Sequence, residues 1–191
     1  KNQKINLISK KTEPMIRERH IIDSAQAIDL IDLNDNICSD LGSGAGFPGI
    51  VLAIMMKKLK KSIKFKLYEK SHLKSIFLKN VSKTLNLNTE IVEEDIFERK
   101  NLRSDTVIGR AFKPLPVILE LMDKNFSKYK NLILFMGKNG KQNLNDAFKV
   151  WKFEYKEKMS LTSNNSFLIS IKNINHSHSV FYLLLITEFN S

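Results

Sequence analysis

Cysteine is almost missing from this chain of 191 residues: Cys38 is the only one. A single thiol cannot close an internal disulfide or build a cysteine-ligated zinc site, and it fits a reducing cytoplasm. Acidic side chains are also few, 20 against 31 Lys and Arg, which leaves a net charge of +11. An excess of that size points to a polyanionic partner, although AT-biased coding produces the same richness in lysine. No apolar run approaches the roughly 20 residues that a membrane span needs. The chain opens on Lys1 rather than Met, with no signal-like segment after it, so its start reads as trimmed or incomplete. A hydrophobic share of 42% and a charged share of 27% are those of a soluble globular protein. The length suits one domain with a sizeable core.

Glycine is scarce as well, seven in all, yet four of the seven crowd into Gly42-Ser43-Gly44-Ala45-Gly46-Phe47-Pro48-Gly49. A strand-like run, Asn36 to Leu41, leads into them, and an apolar helix-like run, Gly49 to Met56, leads away. Strand, glycine turn and helix N-terminus form the place where α/β folds hold a nucleotide-like cofactor. A P-loop is excluded, because no Gly-Lys-Ser/Thr follows the turn. Gly44 to Gly49 formally satisfies the dinucleotide pattern, so the choice of ligand falls to Asp40. A carboxylate just before the first glycine opposes a pyrophosphate and suits the cationic amino and sulfonium groups of S-adenosylmethionine.

Further along, the chain alternates strand and helix signals. Residues 1 to 11 read as the end of a helix or an ordered arm. Glu13 to about Leu33 reads as one amphipathic helix with Ile21, Ile22, Ala25 and Ile28 at helical spacing. Strand periodicity over Ile63 to Tyr68 ends at Glu69. A helix over Ser71 to Leu85 is expected to place Leu73, Ile76, Phe77 and Val81 inward. Short strands follow at Glu90 to Val92, Asp105 to Ile108 and Leu132 to Met136. Between them a helix opened by Pro114 and Pro116 carries Leu115, Ile118, Leu119 and Met122, and Leu144, Ala147, Phe148 and Trp151 mark another. Phe153 to Glu157 and Phe167 to Ile171 then form an antiparallel hairpin. Five β-α units closed by a hairpin predict an α/β class: a doubly wound, mostly parallel sheet of the Rossmann-like methyltransferase type.

Candidate site residues follow from strand ends. Glu69 can accept from both ribose hydroxyls of a cofactor lying across the edge, and Asp95 from an adenine amino group. Ile96 and Phe97 offer apolar contact beside it. Arg110 can point at a carboxylate of the donor or at the substrate, unless it makes only a surface ion pair.

Asn6-Leu7-Ile8, Arg19-His20-Ile21-Ile22-Asp23-Ser24, Asp40 to Gly49 and Gly109-Arg110-Ala111-Phe112 together carry a resemblance. Over about residues 1 to 171 the chain resembles the bacterial 16S rRNA (guanine-527-N7) methyltransferases, known as RsmG or GidB. The resemblance implies a class I S-adenosylmethionine fold over residues 36–172, an N-terminal helical segment over 1–35 and a tail of unassigned role over 173–191. It places donor contacts on Gly42, Phe47, Ile96, Phe97 and Arg110, in the same cradle as Asp40, Gly44, Gly46, Glu69 and Asp95. Two departures stand out: the family usually carries a Glu where Phe97 stands, and Met136-Gly137-Lys138 replaces its usual Lys-Gly. The implied partner is 16S rRNA or the small ribosomal subunit, and the chain is expected to be a cytoplasmic monomer without metal.

Guanine N7 has an in-plane lone pair and no proton, so methyl transfer to it needs alignment and exclusion of water but no general base. No catalytic acid, base or nucleophile is therefore assigned. Arg17, Arg19, Lys113 and Lys138 are candidates for RNA phosphates, His20 for orientation, and Phe47 or Phe112 for stacking on a splayed base. Two other readings share these features: a methyltransferase for another substrate, and a basic RNA-binding protein of the same fold without turnover.

Overall fold

The structure, a computed structural model, describes residues 7–10 and 12–177. Much of the expected N-terminal arm, and the apolar stretch Val180 to Ile186, lie outside these residues. Among the described residues no helix is long and apolar enough to cross a membrane.

The hydrophobic runs pair into a seven-stranded sheet. Its strands are β1 (Ile37–Leu41), β2 (Lys64–Tyr68), β3 (Thr89–Val92), β5 (Thr106–Arg110), β7 (Asn131–Met136), β8 (Trp151–Met159) and β9 (Phe167–His176). The order is β3-β2-β1-β5-β7-β9-β8, and only β9 runs against its neighbours. Two short strands, β4 (Leu102–Arg103) and β6 (Phe126–Lys128), pair separately. At two and three residues they are too short to show any periodicity in sequence.

Helices cover both faces: α1 (Gly49–Lys58) and α2 (His72–Leu85) on one, α3 (Leu115–Asn125) and α4 (Gly140–Phe148) on the other. Alternation along each strand divides the interior into two cores. On β7, Leu132, Leu134 and Met136 join the α3 side, whereas Ile133 and Phe135 join the α1 side. A parallel sheet buried on both faces explains why these strands read as continuous apolar runs. The strand order reverses between β1 and β5, so a crevice opens at their carboxyl ends, the usual binding place of such sheets.

Three expectations need correction. Residues 13–30 are helical but not one regular helix. Tight turns at Glu13–Met15 and Gln26–Leu30 flank a wide turn at Arg17–Ile22 and one α turn at Asp23–Ala25. Ile21 and Ile22 are exposed, and the buried stripe is His20, Ser24, Ala27 and Ile31. That stripe still has helical spacing, but it begins on polar residues, which a hydrophobic pattern cannot reveal.

The second correction concerns α2. Leu73 (57%) and Ile76 (41%) face solvent, while Ser75 and Leu78 are completely buried. The Ser75 hydroxyl donates to the Glu69 carbonyl at 3.0 Å, so a serine takes an inward position. Third, Trp151 opens β8 rather than continuing α4, and its ring meets His176 edge-on at 4.8 Å.

Candidate active site

The glycine loop leaves β1 and turns back at once. Ser43 N–H donates to the Tyr68 carbonyl at 2.9 Å, and Gly44 N–H donates to Glu69 Oε2 at 2.9 Å. Glu69 Oε1 accepts from Ser71 N–H at 2.8 Å, so this buried carboxylate ties the loop to the start of α2. Gly42 has φ +63, and a Cβ there would stand 2.2 Å from the Phe112 ring. Only glycine accommodates both the left-handed backbone and that close approach.

Asp40 is not where its charge suggested. It lies fully buried beneath the loop and lines neither large cavity described below. Its Oδ2 accepts from Gly49 N–H at 3.1 Å, at the N-terminus of α1, where a carboxylate is favourable. Its Oδ1 has no partner among the described residues. Burial, the dominant cause, pushes the Asp40 carboxyl up to about 7. Gly46 is likewise a packing residue, pressed against Ile50 and Leu78.

Two cavities open along the carboxyl edge of the sheet. The first, about 300 Å³, is lined by Gly42, Glu69, Asp95, Ile96, Phe97 and Phe112, among others. Asp95 Oδ1 accepts from Phe97 N–H at 3.2 Å, and this bond is the main cause that holds its carboxyl below the ordinary range. Phe97 and Phe112 stack at 5.9 Å, with the Lys113 ammonium over the Phe97 ring. Phe112 and Lys113 thus stand on this first cavity and not on the second.

The second cavity, about 350 Å³, is lined by Arg19, His20, Asp23, Arg110, Met136 and, from the hairpin, Ser160, Thr162, Ser163, Ser166, Phe167 and Leu168, among others. Ala111, with φ +50, borders both cavities. Arg110 faces this second side. Its Nη1 donates to Asp23 Oδ2 at 3.4 Å and to Ser24 Oγ at 3.2 Å, and its Nη2 donates to His20 Nδ1. A guanidinium only donates, so His20 accepts at Nδ1 and donates from Nε2 to Thr12 Oγ1 at 2.9 Å. Burial first, then Arg110, lowers the His20 pKa, which keeps the ring neutral. Phe47 lies behind this group, stacked on His20 at 5.1 Å with the Arg110 guanidinium 5.9 Å above its ring; it lines neither cavity.

Asp23 Oδ1 also accepts from Gln26 Nε2 at 2.8 Å and from Thr162 Oγ1 at 2.9 Å. Asp23, Ser24, Gln26, Ser160 and Thr162 were not candidates in the sequence reading. The only signal for them was the Arg19 to Ser24 segment, whose internal logic is now visible: it holds Arg110. Arg17 and Lys138 are exposed and line neither cavity.

The first cavity suits an adenosyl sulfonium. It combines carboxylates for hydroxyl, amino and cationic groups, apolar faces for a ring, and a glycine floor that a Cβ would fill.

Comparison with known proteins agrees with this architecture. A family model described as rRNA small subunit methyltransferase G, GidB, matches residues 1–170. The chain is similar to the ribosomal RNA small subunit methyltransferase G of Pelagibacter ubique, 56% identical over 91% of this chain and 82% of that protein. The protein of the same name from Rickettsia felis is 35% identical over 91% of this chain and 86% of its own length. Among solved structures, a SAM dependent methyltransferase from Aquifex aeolicus has the same fold, with a TM-score of 0.63 and 15% identity over 90% of this chain and 97% of that one. With the family model spanning most of its length, this chain belongs to the GidB family of rRNA small subunit methyltransferases G.

Proposed function

We propose that this protein transfers the methyl group of S-adenosylmethionine to N7 of a guanine, position 527, in 16S rRNA. One observation carries the reading: two cavities of ligand size share a single bordering residue, Ala111, at the switch point of the sheet. The donor occupies the first cavity, held by Gly42, Glu69, Asp95, Ile96 and Phe97, and the guanine enters the second. When bound, the donor supplies an electrophilic methyl group on a cationic sulfur.

Every other task falls to the chain itself. Glu69, fixed by Gly44 and Ser71, presents remaining lone pairs to ribose hydroxyls. Asp95, kept ionised, accepts from the adenine amino group. Phe97 and Phe112 exclude water from the same cavity. No side chain needs to take a proton, because N7 carries none. Arg19, on the rim of the second cavity, and the wider excess of +11 support phosphate contacts with RNA. The proposed working form is a cytoplasmic monomer.

The test is a strain lacking the gene. Mapping N7-methylguanine in its 16S rRNA by mass spectrometry is expected to show loss of one methyl group, restored by the cloned gene. Unchanged methylation would defeat the proposal.

A further inference from the structure

β8 is the outer edge of the sheet, nine residues long, with β9 on one side and no strand on the other among the described residues. Its first residue, Trp151, pairs with His176, and its last, Met159, pairs with Phe167, itself opposite Met136. The strand therefore runs from the amino edge of the sheet to the carboxyl edge. The turn that follows lines the second cavity through Ser160, Thr162 and Ser163.

Alternation gives this outer strand two rows of different chemistry. One row is aromatic. Phe153 stacks at 4.6 Å on Phe148, the last residue of α4, and Tyr155 tilts against Phe148 at 5.6 Å. Phe148 is 42% exposed and Tyr155 39%, so open ring surface remains beside Val150, also exposed. The other row is cationic. Lys152 and Lys156 are exposed, and their ammonium groups have no ion-pair or hydrogen-bond partner among the described residues. The neighbouring acids are engaged, Glu157 by Lys141 and Glu154 by Asn173 Nδ2 at 2.8 Å.

Lysines alone on an outer strand would guard it against pairing with another sheet. Exposed rings work against that purpose, because they invite association. An apolar protein surface laid over the rings would strand the two ammonium groups, whereas a phosphate backbone would neutralise them. Rings for bases beside cations for phosphates are what a single-stranded nucleic acid requires. A duplex keeps its bases stacked on one another and could not use the rings.

We infer that the outer face of β8 is a docking strip for a single-stranded segment of RNA, with Phe148, Phe153 and Tyr155 stacking on bases and Lys152 and Lys156 meeting phosphates. A strand lying along it is led to the rim of the second cavity. The inference rests on the proposed rRNA substrate and names a surface that engages it outside the two cavities.

The test uses the full chain and a fluorescent single-stranded RNA copied from the 16S sequence around the target, titrated by anisotropy at several salt concentrations. Phe148→Ala with Tyr155→Ala is expected to weaken Kd at least about 10-fold, as for lost base stacking, and to leave the salt slope unchanged. Lys152→Ala with Lys156→Ala is expected to flatten the slope of log Kd against log salt by about 1.4, roughly 0.7 for each phosphate released. In both pairs Kd for S-adenosylhomocysteine stays within about twofold of wild type, since these residues line neither cavity. Should either pair fail to fold, photocrosslinking of thiouridine-substituted RNA to the wild type is expected to label the peptide spanning residues 148–156. Wild-type affinity and slope in both pairs, crosslinks confined to other faces, or a wild-type dimer that the aromatic pair dissolves would overturn the inference. Docking on this strip by a wild type that leaves guanine N7 unmethylated would instead overturn the function on which it rests.

Discussion

Replacing Asp40 with asparagine isolates the cost of keeping a carboxyl group under the glycine loop. The side chain is fully buried, its Oδ2 accepts from Gly49 N–H at 3.1 Å, and its Oδ1 has no hydrogen-bond partner among the described residues. An asparagine retains the acceptor for Gly49 and never ionises. The folded chain holds the Asp40 proton up to about pH 7, whereas the unfolded chain releases it near the ordinary 3.8. Between those values the folded state binds more protons, so rising pH erodes stability; above about pH 7 the loss is complete and level. At about 1.36 kcal/mol per pH unit the full loss is ~4 kcal/mol, an order-of-magnitude figure. Urea unfolding followed by circular dichroism at pH 4.5 and pH 8 checks it. Asp40→Asn is expected to gain about 3 kcal/mol more over wild type at pH 8 than at pH 4.5. Equal differences at both values would refute the reasoning and place a water or an unrecognised partner on Oδ1.

Two other predictions follow from packing. Leu78→Ala should cost about 2–5 kcal/mol in chemical unfolding, and Leu73→Ala less than about 0.5, because Leu78 is buried and Leu73 exposed on α2; the opposite order would restore the register expected from sequence. Gly42→Ala should lower thermal stability and weaken S-adenosylhomocysteine binding at least about tenfold, since φ is +63 and the new Cβ would meet Phe112 at 2.2 Å. Adding Phe112→Ala should recover part of the stability, leaving the backbone strain; no recovery would mean that the ring contact is unimportant.

Sequence reading located the sheet well because its strands are apolar on both faces and bounded by turns. The glycine loop was equally legible, since four glycines in eight residues can hardly be anything but a tight turn. Where side chains point was harder to see. Asp40 was read as facing a ligand, yet the pleat of β1 sends it under the loop. Phe47 or Phe112 was read as a stacking platform for the base; Phe47 lines neither cavity, and Phe112 packs on Gly42 and Phe97 at the wall of the first. The Asp23 network was invisible because it joins residues more than 130 positions apart in the chain, as in Thr162 to Asp23, which local periodicity cannot report. The stripe on α2 was displaced because a buried serine satisfied by a backbone carbonyl looks polar in any hydrophobic pattern.

The border at Ala111 has a geometric corollary. If both compartments fill as proposed, the reactants are kept apart by the width of one methyl-bearing residue in a left-handed conformation. Reach between nucleophile and methyl group is then written into a backbone bend rather than into any reactive side chain. Bulk added at this one position would act as a spacer, slowing transfer while leaving each ligand its own berth.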